Sequence, residues 1–328
     1  MNSDTSASSP GLPVYGILST INVPVLAFIA DNYYAMPLGA AIASIAANFA
    51  GDTKLQTFIV DAGVSQTNKE KLLRSIDGNR VVVQWLHPSG AQKKLLQSLP
   101  CGYVGRPTYY KLLLPELLGP EYPRIIYLDC DVIVEADISP LWNIDIGDNH
   151  VLAVQDLINP YVSSRFGLRN WRSLGRMPGD ELFNTGVLVF NAEKWHKENA
   201  LRCLLQYLRD NRKFIQLCDQ DAMNAVFHST RGKLDPRWNV LQYIPLASRY
   251  SLLDKPSHEA LLRNAYILHF CGPNKPWHST RPCAYSDRFF HYLRLTAWRD
   301  WHPSKRMFNT HALSYYGRRA ASLVRRFC

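Results

Sequence analysis

Residues 124–131, Arg-Ile-Ile-Tyr-Leu-Asp-Cys-Asp, constrain the fold more than any other stretch of the chain. An apolar run of this length reads as a buried strand of a parallel sheet. It stops abruptly at two carboxylates one residue apart, Asp129 and Asp131. Open α/β sheets bind ligands in the crevice beyond the carboxyl ends of their strands. Like charges this close raise each other's pKa unless a cation intervenes. A hard divalent cation takes oxygen ligands and bridges to phosphate, so the pattern points to a metal-bound, phosphate-containing ligand.

The surrounding sequence supports such a sheet. Pro24 to Ala30 reads as a first strand, 35–49 as an Ala-rich helix, Leu55 to Val60 as a second strand and 65–77 as a helix. Val81 to Leu86 reads as a third strand and 106–118 as a helix, before the strand that carries the Asp-x-Asp. Four strands alternating with helices mark a parallel sheet with helical crossovers. In the second half, Val151 to Gln155, Leu182 to Phe190 and Tyr266 to Phe270 read as strands, and 198–212, 219–228 and 285–300 as helices. The long connection 157–181 holds Arg165, Arg169, Arg172 and Arg176 at a spacing that would share one helical face. That face is either a solvated basic surface or a docking site for an anionic acceptor or membrane.

With 47% apolar and 20% charged residues the chain suits a globular protein with a sizeable core. The formal net charge of +10 favours an anionic partner. No zinc-finger spacing, RNA-binding aromatic motif or recognition helix accompanies it, so nucleic acid is not expected. The seven cysteines (101, 130, 203, 218, 271, 283 and 328) form no CxxC pair, which suggests a reducing, cytoplasmic compartment. Residues 5–30 lack charge, but Pro10, Pro13 and Pro24 break the run short of the ~20 apolar residues a membrane span needs. Residues 1–22 are therefore expected to be a loose extension, 23–302 a catalytic domain, and 303–328 a separate basic tail.

Two chemistries fit an Asp-x-Asp at a strand end: a nucleotide-sugar transferase, or a phosphohydrolase of the haloacid dehalogenase type. The phosphohydrolase places its motif on the first strand, whereas here it lies on the fourth, which favours the transferase. His269 ends a short apolar strand and is followed by Gly272 and Lys275. Such a His is either a satisfied core residue or a ligand; the Gly-x-x-Lys behind it favours a ligand, with Gly272 admitting a phosphate and Lys275 charging it. A carboxylate–imidazole set suits Mn²⁺, with Mg²⁺ also allowed. Asp219 and Asp221 open the helix at 219, where Asp219 could equally be a cap. Asn184 interrupts an apolar strand, and a buried amide needs partners.

At these residues the chain resembles glycosyltransferase family 8, including its members that extend lipopolysaccharide and lipooligosaccharide cores. The matching pieces run in order: Ala30-Asp31-Asn32-Tyr33, Leu128-Asp129-Cys130-Asp131-Val132, Phe183-Asn184-Thr185-Gly186-Val187, Asp219-Gln220-Asp221, and His269 to His278. The resemblance implies a GT-A fold, with a mixed, mainly parallel sheet and helices on both faces. It implies metal-dependent, retaining transfer of a hexose from UDP-galactose or UDP-glucose to a glycolipid acceptor. Asp129, Asp131 and His269 would ligate the metal, with Cys130 between the carboxylates. Asp31 would contact the uracil, beside Asn32 and Tyr33, and Gly272 and Lys275 the diphosphate. Asn184 and Asp219 would hold sugar hydroxyls, Gln220 would lie near the anomeric carbon, and Asp156 would contact the acceptor. Where the family has a sugar-binding Arg this chain has Lys111, which lacks the planar fork.

Gln220 is a poor nucleophile, so front-face attack is favoured over a covalent intermediate. A non-catalytic UDP-sugar-binding module remains an alternative reading. In the tail, Leu313, Tyr316, Ala320, Leu323 and Phe327 form one stripe beside Arg318, Arg319, Arg325 and Arg326. This basic amphipathic pattern suits an anionic membrane surface, and hence peripheral attachment to the inner face of the cytoplasmic membrane.

Overall fold

The structure is a computed structural model that describes residues 23–100, 105–243, 252–272, 274–278 and 283–303. The expected N-terminal extension and residues 304–328 of the basic tail lie outside the described residues. The first half runs β1 (Val25–Ala30), α1 (Ala35–Asn48), β2 (Leu55–Asp61), α2 (Gln66–Arg74), β3 (Val81–Leu86) and α3 (Gly90–Gln97). Next come a 3-10 helix over Arg106–Leu113, α4 (Leu114–Leu118), β4 (Arg124–Leu128), β5 (Val132–Val134), α5 (Ser139–Asn143) and β6 (Val151–Gln155). The remainder is β7 (Phe183–Asn191), α6 (Ala192–Lys197), α7 (Ala200–Asp210), α8 (Asp219–Val226), β8 (Arg231–Lys233), β9 (Val240–Leu241), α9 (Lys255–Arg263), β10 (Ile267–His269) and α10 (Ser286–Leu293).

The main sheet has the order β3-β2-β1-β4-β7-β6-β8. β1, β2, β3 and β4 run parallel, and β7 is antiparallel to both β4 and β6. β4 is thus parallel on one side only, and the sheet is the mixed, mainly parallel one expected. Side chains alternate along the central strands, as a two-residue period requires. Leu26, Phe28, Ile126 and Leu128 enter one core with α1 and α10, while Val25, Ala27, Ile125 and Tyr127 enter the other with α4, α7 and α8. Helices therefore cover both faces.

A second sheet, β5-β10-β9, forms from strands of two or three residues. Its register pairs His269 with Val132, which sets His269 beside Asp131.

Three local expectations are corrected. The helix read over 106–118 begins as a 3-10 helix. Pro115 has no amide to donate to Lys111 O, and the Leu114 N–H closes the tighter turn instead. The connection 157–181 forms no helix, so Arg165, Arg169, Arg172 and Arg176 share no helical face. It is stapled by turns in which the Asp156 carboxylate accepts the Ile158 and Asn159 N–H groups and the Asn159 side-chain amide oxygen accepts that of Phe166. The helix expected at 198–212 is shorter, Ala200–Asp210, and α6 precedes it.

Candidate active site

Asp31 follows β1 and Asp129 follows β4, neighbouring parallel strands, so both lie at the carboxyl edge of the sheet. Because β7 runs the opposite way, its first residues, Asn184 to Gly186, arrive at the same edge. The Asp129 N–H donates to Gly186 O at 2.8 Å. Gly186 is required by crowding: a Cβ there would lie 2.3 Å from His269 Cε1 and 2.9 Å from Asp129 Oδ2.

Asp129, Asp131 and His269 offer ligand atoms that all lie within 4.8 Å of one another. His269 Nε2 stands 3.3 Å from Asp131 Oδ1 and 3.8 Å from Asp129 Oδ2. Two carboxylates and an imidazole nitrogen converging at one sheet edge fit a divalent cation of the Mn²⁺ or Mg²⁺ kind. Lys275 is buried against this cluster and donates to Asp131 Oδ2 and, at 2.7 Å, to Phe270 O. An ammonium has three donors, and partners among the described residues take two of them. Burial opposes charge on both partners, but the pair outweighs it. Lys275 is held above the ordinary lysine range, and its ammonium holds Asp131 well below the carboxylate range.

Lys111 is only 2% exposed. Its Nζ donates to Asp219 Oδ2 at 2.7 Å and Thr185 O at 2.8 Å, and lies 3.7 Å from Asp129 Oδ1 over the Tyr127 ring. Burial alone would lower its pKa; Asp129 and Asp219 raise it instead. Asp219 is no cap. Cys218 occupies the cap position of α8 at φ +55°, and Asp219 turns inward to Lys111 and the Thr185 hydroxyl. The loop before α8 is held by Asp221, whose carboxylate accepts the Gln216 and Leu217 N–H groups.

Gln220 accepts the Thr185 N–H at 3.3 Å and donates to Asp156 Oδ2 at 2.9 Å, which Asn184 also approaches at 3.4 Å. Asp156 thus joins the site through Oδ2 while its Oδ1 holds the long connection. The Asp31, Asn32 and Tyr33 group forms a neighbouring corner. Asp31 Oδ1 accepts the Tyr33 and Tyr34 N–H groups, Asn32 braces Ser65 and Asn68, and the Tyr33 hydroxyl meets His278. Gly272 sits at φ +86°, a conformation that side chains resist. Cys130 points away from the crevice, its thiol on Ile29 O and pushed up by burial.

The sequence reading assigned no role to Thr185, Gly186, Tyr127 or Asn239. Thr185 and Gly186 lay within a quoted motif. Asn239 interrupts the apolar run Trp238 to Leu241, the same signal that exposed Asn184.

Residues 25–281 match Glycosyl transferase family 8. The chain belongs to glycosyltransferase family 8. General stress protein A of Bacillus subtilis (strain 168) is 30% identical over 274 residues, covering 82% of this chain and 92% of its own length. Lipopolysaccharide 1,2-glucosyltransferase of Escherichia coli (strain K12) is 28% identical over 191 residues, 56% of this chain and 53% of that enzyme. The galactosyltransferase LgtC, crystallised with donor and acceptor sugar analogues, superposes with a TM-score of 0.68 at 26% identity, over 84% of this chain and 99% of LgtC. This family 8 chain therefore has the GT-A fold expected from its motifs.

Proposed function

We propose that this family 8 glycosyltransferase moves a hexose from a UDP-sugar, galactose or glucose, to a lipopolysaccharide-type acceptor with retention of anomeric configuration. The observation that carries the reading is the Asp129, Asp131 and His269 set at the carboxyl edge of the sheet, ringed by Lys275, Asn184, Asp156, Asp219 and Gln220. Support for the donor and acceptor comes from the relatives named for glucosyl and galactosyl transfer. A divalent cation held by Asp129, Asp131 and His269 supplies positive charge to the donor diphosphate. Mn²⁺ is the cation this donor set favours.

Lys275 offers its third proton to the phosphate oxygen from which the sugar departs, stabilising charge as it develops there. Asn184 and Asp219 suit sugar hydroxyls, and Asp156 with Gln220 lines the acceptor side. Retention without an enzyme adduct follows from the chemistry of the groups present. Gln220 is an amide, and Asp219 Oδ2 is already occupied by Lys111 and Thr185. We favour front-face attack, with a donor phosphate oxygen receiving the acceptor proton. A glycosyl adduct trapped on Gln220 or Asp219 would refute this route. The basic tail is proposed to hold the enzyme on the inner face of the cytoplasmic membrane. Among the described residues no helix is long and apolar enough to cross a membrane.

The test is UDP release from a panel of UDP-hexoses, with Mn²⁺ or with EDTA, in wild type and Asp129→Ala. Release confined to one or two donors, dependent on metal and abolished by the substitution, is expected. Phosphate freed from sugar phosphates, with no UDP release, would overturn the transferase reading.

A further inference from the structure

We infer that Asn239 is the positioning residue that makes His269 a metal ligand, through an amide relay anchored on a main-chain N–H. The inference rests on the metal reading above and deepens it. The relay starts at Gly186, whose N–H lies 2.8 Å from Asn184 Oδ1. A main-chain N–H only donates, so that atom of Asn184 is its carbonyl oxygen. Asn239 meets the same oxygen at 2.9 Å and must do so with its NH₂ group. The remaining oxygen of Asn239 then faces His269 Nδ1 at 2.9 Å. A carbonyl only accepts, so Nδ1 carries the proton. Each hydrogen position follows from the one before it, back to a backbone group that has no alternative orientation.

The consequence falls on the other ring nitrogen. With Nδ1 protonated, the neutral ring carries its lone pair on Nε2, which faces the oxygens of Asp131 and Asp129 at 3.3 and 3.8 Å. Lys275 sits on the other oxygen of Asp131, and the three electron-rich atoms left facing one another suit a cation among them. The opposite tautomer would place a proton on Nε2, let it donate to Asp131, and fill the metal's place with an internal hydrogen bond. Asn239 disfavours that state, because the Nδ1 lone pair would then oppose a buried carbonyl. His269 is 2% exposed and Asn239 1%, so water is not at hand to relieve the clash. Outer partners of this kind orient metal-binding histidines and fix their tautomer. Asn184 consequently has two duties: its amide faces Asp156 and its carbonyl sets the polarity of the relay.

The experiment uses the full chain and Mn²⁺ alone. Affinity is read by electron paramagnetic resonance titration, and nitrogen ligation by the spin-echo modulation of directly bound ¹⁴N. His269→Ala sets the signal expected without an imidazole ligand. Asn239→Leu should weaken Mn²⁺ about 10–100-fold and lose the nitrogen modulation, the cost usual for removing such an outer partner. Asn239→Asp keeps an acceptor at Nδ1 but loses the donor to Asn184 Oδ1, so it should retain the nitrogen modulation with Mn²⁺ weakened less than in Asn239→Leu. Wild-type affinity and modulation in Asn239→Leu would overturn the inference. So would loss of the nitrogen ligand in folded Asn239→Asp, which carries the test if the leucine variant does not fold. Absence of Mn²⁺ binding by the wild type itself would instead overturn the metal reading on which this stands.

Discussion

Replacing Lys111 by Met isolates the electrostatic part of the site. Met matches most of the length and volume of the lysine stem, so packing changes little. The substitution strips Asp219 of its ammonium, leaving the Thr185 hydroxyl on Oδ2, and deprives Thr185 O of a donor. Asp219 is 2% exposed, so water does not replace the lost cation. Breaking a buried ion pair by removing one partner costs about 3–5 kcal/mol, because the other charge stays buried and uncompensated. Urea unfolding should show the denaturation midpoint fall with an unchanged slope. Asp219→Asn removes the complementary charge while keeping an oxygen for Thr185. The double variant should therefore recover much of the loss, with a coupling of about 2–3 kcal/mol. Effects that simply add, to within about 0.5 kcal/mol, would refute the claim that Lys111 and Asp219 stabilise each other.

Gly186→Ala should cost about 1–3 kcal/mol by overpacking and weaken Mn²⁺, since its Cβ would meet both His269 and Asp129; unchanged midpoint and unchanged metal titration would count against this. Asp221 gives a pH signature. Burial pushes its carboxyl up to about 7, with Asp219 adding and the Gln216 and Leu217 N–H groups and Arg169 opposing. The native state then holds a proton that the unfolded chain releases near pH 4, so this contribution to stability is complete below pH 4 and is lost as pH rises towards 7. Asp221→Asn should flatten the decline across that window, and midpoints measured from pH 4 to 7 decide it. Deleting residues 303–328 should shift the enzyme from membrane to soluble fraction while sparing donor hydrolysis; unchanged partitioning would remove the anchor.

The first half of the fold was legible because its strands are apolar runs of five to seven residues, separated by helix-length crossovers. The Asp-x-Asp, His269 and Asn184 were legible for a related reason: each is a polar group ending or interrupting an apolar run. The small sheet was not, since strands of two or three residues carry no periodicity. Helix α3 is polar and short, and its only signature is the Ser89–Gln92 capping box. Lys111 could be read as a cation in place of a guanidinium, but its hydrogen-bond partners lie 74 and 108 positions away. The relay through Asn239 joins residues 30 and 55 positions apart, a distance at which sequence pattern says nothing about hydrogen-bond polarity.

The pairing of Lys275 with Asp131 spans 144 positions, and that span sets an order of events during synthesis. At about 5–20 residues per second, roughly 7–30 s pass between the emergence of the aspartate and that of its lysine. Through that interval Asp131, at the end of β4, lacks its lysine, and burying a carboxylate unpaired would be costly. The edge of the sheet must therefore stay wet on the ribosome until β10 docks against β5. The Asp131 end of β4 is thus completed only when β10 pairs with β5.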